Sequence, residues 1–382
     1  MLKRILSVAM LSTLFIFTAT FGEPTPPSII PTPPTIDARG YVLMDADTGA
    51  VLAQENPSAR MEPASLTKLM TMYVASEALK RDQIKLTDQV PVSEAAWKTG
   101  GSRMFIKVGT SVSVQDLLDG IIIASGNDAC VALSEYIGGN EQTFTNYMNQ
   151  TAKQLGMNNT HFTDSTGLPN PDHYTTPYDM ALLARAVISD FPQYYPLYKQ
   201  KWLQYNNIKQ PNRNRLLWRD ATVDGLKTGH TDSAGYCLVS SAYRNGMRLM
   251  AVVMGAPSDQ ARASDSQALL NFGFRFFETH KLYEANQSLA TSRVWLGKKN
   301  AIAIGLATPF SVTIPRNMYT NLKPQIHLPS TLKAPIAKGQ TIGTLDITLN
   351  DKVVGSAPLI ALEADPRGNI FSRVIDHVRM WI

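Results

Sequence analysis

Apolar positions early in the chain follow the period of a helix. After Pro63, apolar residues return every three or four positions, as one buried face of a helix requires. They are Leu66, Leu69, Met70, Tyr73 and Val74. Proline is well tolerated at the start of a helix, because its missing N–H group is not needed there. The pattern therefore predicts a helix that begins just after Pro63 and runs to about Arg81.

Strand and helix signals alternate over the rest of this region. Apolar runs beside turn residues predict strands at 40–44, 50–54, 236–241 and 247–254. Helical periodicity predicts helices at 141–154, 177–189 and 261–279. Long polar and irregular segments lie at 158–178 and 206–218. Loops of such length are usually functional or disordered.

A helical stretch at 112–139 is interrupted at Ser125-Gly126-Asn127. Glycine in the middle of a helix costs roughly 1 kcal/mol relative to alanine, so the break needs a reason. Either it is a plain turn between two helices, or it is a loop that points Ser125 and Asn127 into a cleft. On the periodicity alone, the plain turn between two helices is favoured.

After His280 the chain changes to short apolar runs separated by turns. The runs lie at 294–296, 310–314, 325–328, 343–349 and 353–359. Such spacing predicts a small β domain of the sandwich type. It contains no group of residues suited to catalysis.

The last residues, 369–382, have the pattern of an amphipathic helix. One arc carries Ile370, Phe371, Val374, Ile375, Val378, Trp381 and Ile382. The opposite arc carries Ser372, Arg373, Asp376 and Arg379. A helix of this length cannot span a bilayer, but an aromatic-bearing face backed by arginines suits the membrane interface. Packing against its own domain is the alternative, and the terminal position favours the membrane surface.

The N-terminus has the composition of a secretory signal peptide. Lys3 and Arg4 precede an apolar run at 5–21 that ends among small residues. An uncleaved anchor is the alternative, and the run is barely long enough to form one. We expect a signal peptide at 1–22 and an extended proline-rich linker at 23–35.

Composition and charge exclude several classes of function. The chain has 382 residues, is 44% apolar and carries a formal net charge of +5. Because no basic cluster is interleaved with aromatic residues, we do not expect nucleic-acid binding. Cys130 and Cys237 are compatible with one disulfide, but their apolar surroundings favour two buried free thiols. The six histidines lack metal-ligand spacing, so we expect neither a metal nor a cofactor.

Ser65 and Lys68 are candidate reactive residues at the predicted helix start. Their spacing places both side chains on the same side of the helix. A lysine whose pKa is lowered by burial can take the proton of a serine hydroxyl. Free N–H groups at a helix start also suit a developing oxyanion. Considered alone, this common spacing more often belongs to a capping serine and a solvated lysine.

A second candidate cluster lies at 227–231, with the sequence Lys227-Thr228-Gly229-His230-Thr231. A glycine beside a strand permits the close approach of another backbone. A lysine and two threonine hydroxyls on such an edge can bind a carboxylate by charge and hydrogen bonds. The alternative is an ordinary turn with a solvated lysine.

Three motifs in this order resemble the active site of serine penicillin-recognising enzymes. The motifs are Ser65-x-x-Lys68, Ser125-Gly126-Asn127 and Lys227-Thr228-Gly229. The longer stretches 63–68, 125–130 and 227–232 are similar to those of the D-alanyl-D-alanine carboxypeptidases, the low-molecular-mass penicillin-binding proteins of the penicillin-binding protein 5 type. The resemblance covers nearly the whole chain.

The resemblance implies an α+β fold built from three parts. The first is a catalytic domain like that of serine β-lactamases and penicillin-binding proteins, in which helices flank an antiparallel sheet. A small β-sandwich domain and a C-terminal amphipathic helix follow it. The corresponding ranges are 36–280, 281–364 and 365–382.

Roles for individual residues also follow from the resemblance. Ser65 would be the acylated nucleophile, and Lys68 would be its general base. Ser125 would relay a proton to the leaving D-alanine. Asn127 would form a hydrogen bond with the backbone of the substrate.

The cluster at 227–231 would bind the substrate. Lys227 and Thr228 would orient the terminal carboxylate, with Gly229 and Thr231 beside them. The N–H groups of Ser65 and His230 would form the oxyanion hole.

Arg262, whose local sequence matches the family less well, would help to bind the same carboxylate. Cys237 departs from the family pattern, in which a polar residue is expected. Because two lysines in one cleft lower each other's pKa, we expect Lys68 to be neutral while Lys227 stays charged near the carboxylate.

The implied activity is removal of the terminal D-alanine from peptidoglycan pentapeptide stems, with β-lactam antibiotics as covalent inhibitors. The alternatives are a β-lactamase, a peptidoglycan endopeptidase and a non-catalytic cell-wall shape factor. The chain shows no match to the water-activating glutamate motif of β-lactamases, and its intact motifs argue against a non-catalytic protein. We expect the chain to be exported and attached peripherally to the periplasmic face of the bacterial cytoplasmic membrane.

Overall fold

The structure, a computed structural model, describes residues 30–381. The predicted signal peptide at 1–22 and the predicted linker up to residue 29 lie outside the described residues. The strands of the described part are β1 (Gly40–Asp45), β2 (Val51–Glu55), β3 (Gln89–Pro91), β4 (Ser111–Ser113), β5 (Trp202–Tyr205), β6 (Ile208–Pro211), β7 (Val223–Thr231), β8 (Gly235–Arg244), β9 (Met247–Ala256), β10 (Phe277–Tyr283), β11 (Ser288–Trp295), β12 (Ala301–Gly305), β13 (Phe310–Pro315), β14 (Leu322–His327), β15 (Leu332–Lys333), β16 (Thr341–Leu349) and β17 (Lys352–Ala361).

The helices are α1 (Lys68–Lys80), α2 (Glu94–Lys98), α3 (Val114–Asp119), α4 (Asn127–Gly138), α5 (Glu141–Gln154), α6 (Pro177–Asp190), α7 (Leu216–Arg219), α8 (Asp259–Phe276) and α9 (Ile370–Trp381). Short 3-10 turns lie at Ala64–Thr67, Tyr195–Lys199 and Tyr319–Asn321, and a π-helical turn lies at Gly120–Ala124. The predicted mixture of helices and strands is confirmed.

An antiparallel five-stranded sheet with the order β2-β1-β9-β8-β7 organises the N-terminal part. Alternate residues of a strand point to opposite faces of a sheet. Val42 and Met44 of β1 therefore pack into a core shared with α1, α4 and α6, whereas Tyr41 and Leu43 pack into a core shared with α8. Helices cover both faces of the sheet, and β7 lies at one edge.

A β-hairpin formed by β5 and β6 occupies the first part of the segment predicted to be irregular at 206–218. The prediction was wrong there, because Asn206 and Asn207 form a tight turn between two strands. Both residues have positive φ angles, 47° and 59°. Asparagine tolerates this conformation, which two-residue hairpin turns require. The pair of asparagines was therefore a usable sequence signal.

The C-terminal part is rich in strands, as the short apolar runs after His280 predicted. A six-stranded sheet has the order β14-β16-β17-β12-β11-β15, and β10 pairs with β13 in a separate two-stranded sheet. Ile302, Ile314 and Leu345 lie in the apolar core of this part. β10 follows α8 directly and spans the predicted domain boundary at residue 280.

Partly buried hydroxyl groups join the two parts of the chain around Asp45. The hydroxyl of Thr279 donates to the Asp45 carboxylate at 2.6 Å, and the hydroxyl of Thr48 donates to the same carboxylate at 3.0 Å. Thr313 of β13 is hydrogen-bonded to Thr48 at 2.6 Å and to Thr279 at 3.1 Å. The end of β1 is thereby tied to strands of the C-terminal part.

The predicted C-terminal amphipathic helix is α9. Its apolar residues Ile370 and Phe371 are 73% and 81% exposed. On the polar face, the Asp376 carboxylate accepts a hydrogen bond from the backbone N–H of Leu296 at 2.7 Å. The polar face is therefore attached to the β-rich part, while the apolar face points away from it. Across residues 30–381, no helix has the length and apolarity needed to cross a membrane.

Candidate active site

Ser65 lies in the 3-10 turn that precedes α1, not in the first α-helical turn that the sequence predicted. A 3-10 helix has three residues per turn, so side chains three residues apart lie directly above one another. This geometry places Nζ of Lys68 3.0 Å from Oγ of Ser65. The predicted pairing of the hydroxyl and the amine is present in the structure.

Lys68 is completely buried, and two carbonyl oxygens contact its amine. Nζ donates to Oδ1 of Asn127 at 2.7 Å and to the backbone oxygen of Thr166 at 2.6 Å. A neutral amine has two protons and one lone pair. When both protons are donated to these two carbonyl oxygens, the lone pair is left for the proton of the Ser65 hydroxyl. The arrangement suits a general base.

Burial is the main cause that lowers the pKa of Lys68. The nearby acids Asp164 and Asp128 act in the opposite direction, and the positive charge of Arg213 lowers the pKa further. A base with a lowered pKa holds less of its population as the inert ammonium ion at neutral pH. The predicted direction of the shift is therefore found, although burial and not the second lysine is its main cause.

Ser125 is held in a left-handed backbone conformation between the π-helical turn and α4. Its φ and ψ angles are 58° and 37°, and its side chain is buried. Residues other than glycine seldom adopt this conformation, which costs on the order of 1–3 kcal/mol and occurs preferentially at functional sites. The interruption at 125–127 is therefore a loop that points Ser125 and Asn127 inward. The plain-turn interpretation is wrong.

Lys227 approaches Ser125 from the edge strand β7. Its Nζ donates to Oγ of Ser125 at 3.0 Å and to the backbone oxygen of Thr228 at 2.9 Å. Burial is the first cause that lowers the pKa of Lys227 well below its usual range, and the charges of Lys68, Arg213 and Arg262 lower it further. A substrate carboxylate placed beside this amine would favour its charged form.

Gly229 brings β7 against the turn that carries Ser65. A Cβ atom at Gly229 would lie 2.9 Å from the backbone oxygen of Pro63 and 3.2 Å from the backbone nitrogen of Leu66. Such contacts leave no room for a side chain. The close approach expected for Gly229 is thus found, although the glycine lies within the strand and not beside it. His230, the next residue, is exposed and stacks on Tyr236, with their ring centroids 4.0 Å apart.

Thr231 and Arg262 contact the site less directly. The hydroxyl of Thr231 accepts the backbone N–H of Ala234 at 3.0 Å and lies 3.5 Å from the Glu62 carboxylate. Nη1 of Arg262 donates to the backbone oxygen of Gly229 at 2.9 Å, and its Nη2 pairs with Asp259. Arg262 is therefore attached to the backbone of β7.

A loop between α5 and α6 supplies residues that sequence reasoning missed. The Asp164 carboxylate accepts hydrogen bonds from the backbone N–H groups of Thr166 and Gly167, each at 2.7 Å. His173 is buried 3.3 Å from Asp164, and its other ring nitrogen is hydrogen-bonded to Thr67 at 2.8 Å. Burial raises the pKa of Asp164, but the hydrogen bonds from His173, Thr166 and Gly167 outweigh burial and hold the pKa well below its usual range.

Arg213 is a second residue that sequence reasoning left without a role. Its Nη1 donates to the hydroxyl of Ser102 at 2.8 Å, and its charge lowers the pKa of both Lys68 and Lys227. It therefore lies beside the cleft, between the loop at 99–106 and the segment before β7. Its only sequence signal was its place in a polar, irregular stretch.

Other features of the site concern sulfur and metals. Cys130 and Cys237 are both buried free thiols, as predicted, and burial raises the pKa of Cys130 to about 12. Among residues 30–381, no group of three or more histidine, cysteine, aspartate or glutamate side chains is placed to hold a metal ion.

Comparison with known proteins agrees with this geometry. A family model described as D-alanyl-D-alanine carboxypeptidase matches residues 28–258. The chain belongs to this family. A second model, described as the C-terminal domain of penicillin-binding protein 5, matches residues 277–367. The resemblance stated from the three motifs, the fold it implied and the class of enzyme are confirmed.

Several members of the family are similar to this chain over most of its length. D-alanyl-D-alanine carboxypeptidase DacC of Escherichia coli K12 is 48% identical, with 91% of this chain and 89% of that protein covered. The crystal structure of penicillin-binding protein 5 from Haemophilus influenzae has a TM-score of 0.85 and 44% identity, and covers 88% of this chain and 99% of its own. Penicillin-binding protein D2 from Listeria monocytogenes, in its ampicillin-bound form, has a TM-score of 0.58 and 29% identity, and covers 63% of this chain and 98% of its own.

Proposed function

We propose that this carboxypeptidase removes the terminal D-alanine from peptidoglycan pentapeptide stems through an acyl-enzyme on Ser65. The observation that carries the proposal is the position of the Lys68 amine, 3.0 Å from Oγ of Ser65 and hydrogen-bonded to two carbonyl oxygens. A nucleophile beside a base that is itself oriented is the arrangement that acyl transfer requires. β-Lactams, which carry a reactive amide, acylate the same hydroxyl.

In the acylation step, Oγ of Ser65 attacks the carbonyl carbon of the penultimate D-alanine. Lys68 takes the hydroxyl proton as the new C–O bond forms. The C–N bond then breaks, and the leaving amine of D-alanine receives a proton through Ser125, whose hydroxyl is contacted by Lys227. Water hydrolyses the resulting ester, which restores Ser65 and completes the cleavage of one amide bond.

The negative oxygen of the tetrahedral intermediate is stabilised by the backbone N–H groups of Ser65 and His230. The close approach of β7 to the turn before α1, which requires Gly229, supports this assignment. Two preorganised donors contribute roughly 3–4 kcal/mol each to the stabilisation of such a transition state.

The terminal carboxylate of the substrate is bound by Lys227 and the hydroxyl of Thr228. Asn127 contacts the substrate backbone, and Thr231 lines the same strand edge. Arg262 contributes through the backbone of Gly229, to which it donates a hydrogen bond. When the carboxylate binds, it raises the pKa of Lys227, so this amine becomes charged in the complex although burial disfavours the charge in the free enzyme.

The experiment that tests this proposal measures D-alanine release from a synthetic pentapeptide that ends in D-Ala-D-Ala. Ser65→Ala should abolish both the release and the covalent labelling by penicillin. Ser264→Ala, at an exposed position on α8, is the matched control and should retain both. Acylation of the Ser65→Ala protein would show that the nucleophile is misassigned.

The same experiment separates the alternative activities. Rapid release of a penicilloyl adduct would indicate a β-lactamase, whereas a long-lived adduct is expected here. Absence of D-alanine release from wild-type protein would favour a non-catalytic role in the cell wall.

We also propose that the enzyme is exported and attached peripherally to the periplasmic face of the cytoplasmic membrane through the helix at 365–382. The exposed apolar face of α9 supports this location. In this division, the part at 36–280 is catalytic, and the part at 281–364 lies between the catalytic domain and the membrane helix. The predicted signal peptide at 1–22 directs export.

A further inference from the structure

A pocket of about 480 Å³ lies beside the cleft, outside the group of residues that performs acyl transfer. Volumes of about 300–1,000 Å³ are usual for sites that bind small ligands. Its lining includes Trp202, Trp218, Arg213, Arg215, Asp259 and Arg262. No step of the proposed cleavage of D-Ala-D-Ala uses the two tryptophans.

The pocket lies at the leaving-group end of the cleft. Along β7, the scissile carbonyl is opposite His230 and the terminal carboxylate is opposite Lys227 and Thr228. Continuing in the same direction leads to Gly225, whose backbone oxygen accepts a hydrogen bond from Asn214 at 3.0 Å. The segment that contains Asn214 also supplies Arg213 and Trp218 to the pocket wall. A side chain carried by the leaving residue would therefore lie next to the pocket.

Shared residues make the pocket continuous with the carboxylate site. Arg213 lines the pocket and lies close enough to Lys68 and Lys227 for its charge to act on both amines. Arg262 lines the pocket and donates to the backbone of Gly229. The pocket therefore adjoins the edge strand that is proposed to bind the substrate carboxylate.

The pocket wall has an aromatic side and a basic rim. Trp202 and Trp218 are 50% and 43% exposed and pack edge to face, with ring centroids 6.2 Å apart. Nζ of Lys209 lies 4.6 Å from the centre of the Trp202 ring, and Nζ of Lys201 lies 5.9 Å from the centre of the Trp218 ring. Contiguous exposed apolar surface with a polar rim is typical of ligand-binding grooves and interaction sites.

Charge further restricts the ligand. Arg213 and Arg215 lie on the pocket wall, and Asp259 is the acid among the lining residues. The carboxylate of Asp259 is already paired with Arg215 and Arg262. The net charge of the residues around the pocket is therefore positive. Such a charge suits a ligand in which an apolar chain is attached to negatively charged groups.

We propose that this pocket binds the side chain of a leaving D-amino acid larger than alanine. The inference rests on the proposed function, because the leaving residue is placed by the same carboxylate contacts. The reaction is otherwise unchanged: Ser65 forms the ester, the amide C–N bond breaks, and the leaving amine takes the proton. The volume of the pocket is much larger than the methyl group of D-alanine, and its two tryptophans suit an unbranched aliphatic side chain.

Two substrates share this chemistry. One is a stem whose last residue is an aliphatic D-amino acid in place of D-alanine. The other is a cross-linked stem, in which the leaving D-centre carries a free carboxylate and an aliphatic side chain that leads to a second, negatively charged stem. The basic rim formed by Lys201 and Lys209 is suited to the cross-linked stem, because the second stem is negatively charged.

The test uses the full-length enzyme with three substrates: a peptide ending in D-Ala-D-Ala, the same peptide ending in D-Ala-D-norleucine, and a purified cross-linked muropeptide dimer. The quantity compared is the ratio of kcat/KM for each larger substrate to kcat/KM for D-Ala-D-Ala. Trp202→Ala and Trp218→Ala should each lower this ratio about tenfold, the equivalent of about 1.4 kcal/mol. Trp202→Phe, which keeps an aromatic ring, should retain most of the wild-type ratio of kcat/KM values.

A purely structural effect would lower all the rates together and leave the ratio unchanged. Tyr147→Ala removes a comparably exposed aromatic ring from α5 and should not change the ratio. If the enzyme cleaves the norleucine peptide but not the dimer, the substrate is a stem that ends in a larger D-amino acid. If the enzyme cleaves the dimer, the substrate is a cross-linked stem.

The proposal is overturned if wild-type enzyme cleaves neither larger substrate, or if the tryptophan variants leave the ratio unchanged. Trp202 is half exposed on a hairpin, so Trp202→Ala is expected to fold. This variant can therefore be measured even if Trp218→Ala does not fold. Failure of the proposed function has a different signature, the absence of D-alanine release from the D-Ala-D-Ala peptide itself.

Discussion

The backbone oxygen of Thr166 lies 2.6 Å from Nζ of Lys68, and the two residues are 98 positions apart in the chain. The loop that carries Thr166 is therefore part of the environment of the Lys68 amine. Asp164 holds this loop by accepting two of its backbone N–H groups, and His173 links Asp164 to Thr67, which precedes Lys68. Thr67 is completely buried, so this Asp–His–Thr arrangement positions Lys68 and is not a second nucleophilic site.

We expect Asp164→Asn to lower the free energy of unfolding by about 1–3 kcal/mol at pH 7, because it weakens a buried hydrogen-bonded group. Since the pKa of Asp164 is depressed in the folded state, the stability it contributes is present above the ordinary carboxyl pKa of about 3.9. That contribution is lost as the pH falls toward the depressed value. Urea unfolding at pH 7 and at pH 3 should show the difference between wild type and variant shrinking with acidity. Asp172→Asn, at an exposed position in the same loop, is the control.

Gly167→Ala should destabilise the protein and reduce acylation. Gly167 has a φ angle of 85°, and an added Cβ would lie 1.8 Å from the backbone oxygen of Ala64. The backbone penalty is about 1–2 kcal/mol, and the overlap adds about 1–3 kcal/mol. Gly139→Ala is a matched control, since its φ angle is 75° and its Cβ would meet open space. Equal losses in thermal stability for the two variants would contradict the packing argument.

Acylation by penicillin should slow as the pH falls through the lowered pKa of Lys68, because only the neutral amine can accept the Ser65 proton. Arg213→Gln removes a positive charge that lowers this pKa. Its pH–rate profile, normalised to the plateau, should therefore shift toward higher pH. The exposed Arg219→Gln variant should leave the profile in place. An unshifted profile for Arg213→Gln would mean that its charge does not act on the base.

Phe371→Glu should weaken binding to vesicles of anionic lipid at least tenfold, about 1.4 kcal/mol. Phe371 lies on the exposed apolar face of α9, where insertion into the interface would bury it. Co-sedimentation with the vesicles measures the bound fraction, and D-alanine release confirms that the variant is folded. Tyr147→Glu, on the catalytic part, serves for comparison. Vesicle binding that survives both Phe371→Glu and removal of 369–382 would exclude α9 as the membrane contact.

Much of the site was predictable because its motifs are local. The pairing of Ser65 and Lys68 follows from a spacing of three residues, and the break at Ser125 was marked by the following glycine. The strand that carries Lys227 pairs with β8, which is followed by β9, and the apolar pattern of both of these strands was clear. In these places, short-range geometry and periodicity determine the structure.

The remaining contacts could not be predicted, because they join distant segments. Nothing in the local pattern around Asp164 or His173 indicates that the two side chains meet behind Lys68. The acceptor role of Asn127 toward Lys68 spans 59 residues and depends on the packing of α1 against α4. The hairpin at β5 and β6 was missed for a different reason, since its turn signal was an asparagine pair in an otherwise polar stretch.

Two amines buried in one cleft also affect the folding equilibrium of the whole chain. The pKa values of Lys68 and Lys227 are both lowered in the folded state, so between the lowered and the ordinary lysine pKa the unfolded chain binds more protons than the folded chain. Folding must therefore release protons to the solvent, and the native state becomes more favourable as the medium becomes more alkaline, up to the ordinary lysine pKa of about 10.4. Apolar replacements at these positions would make a more acid-tolerant but inactive molecule, which links the reactivity of this enzyme to its sensitivity to acid.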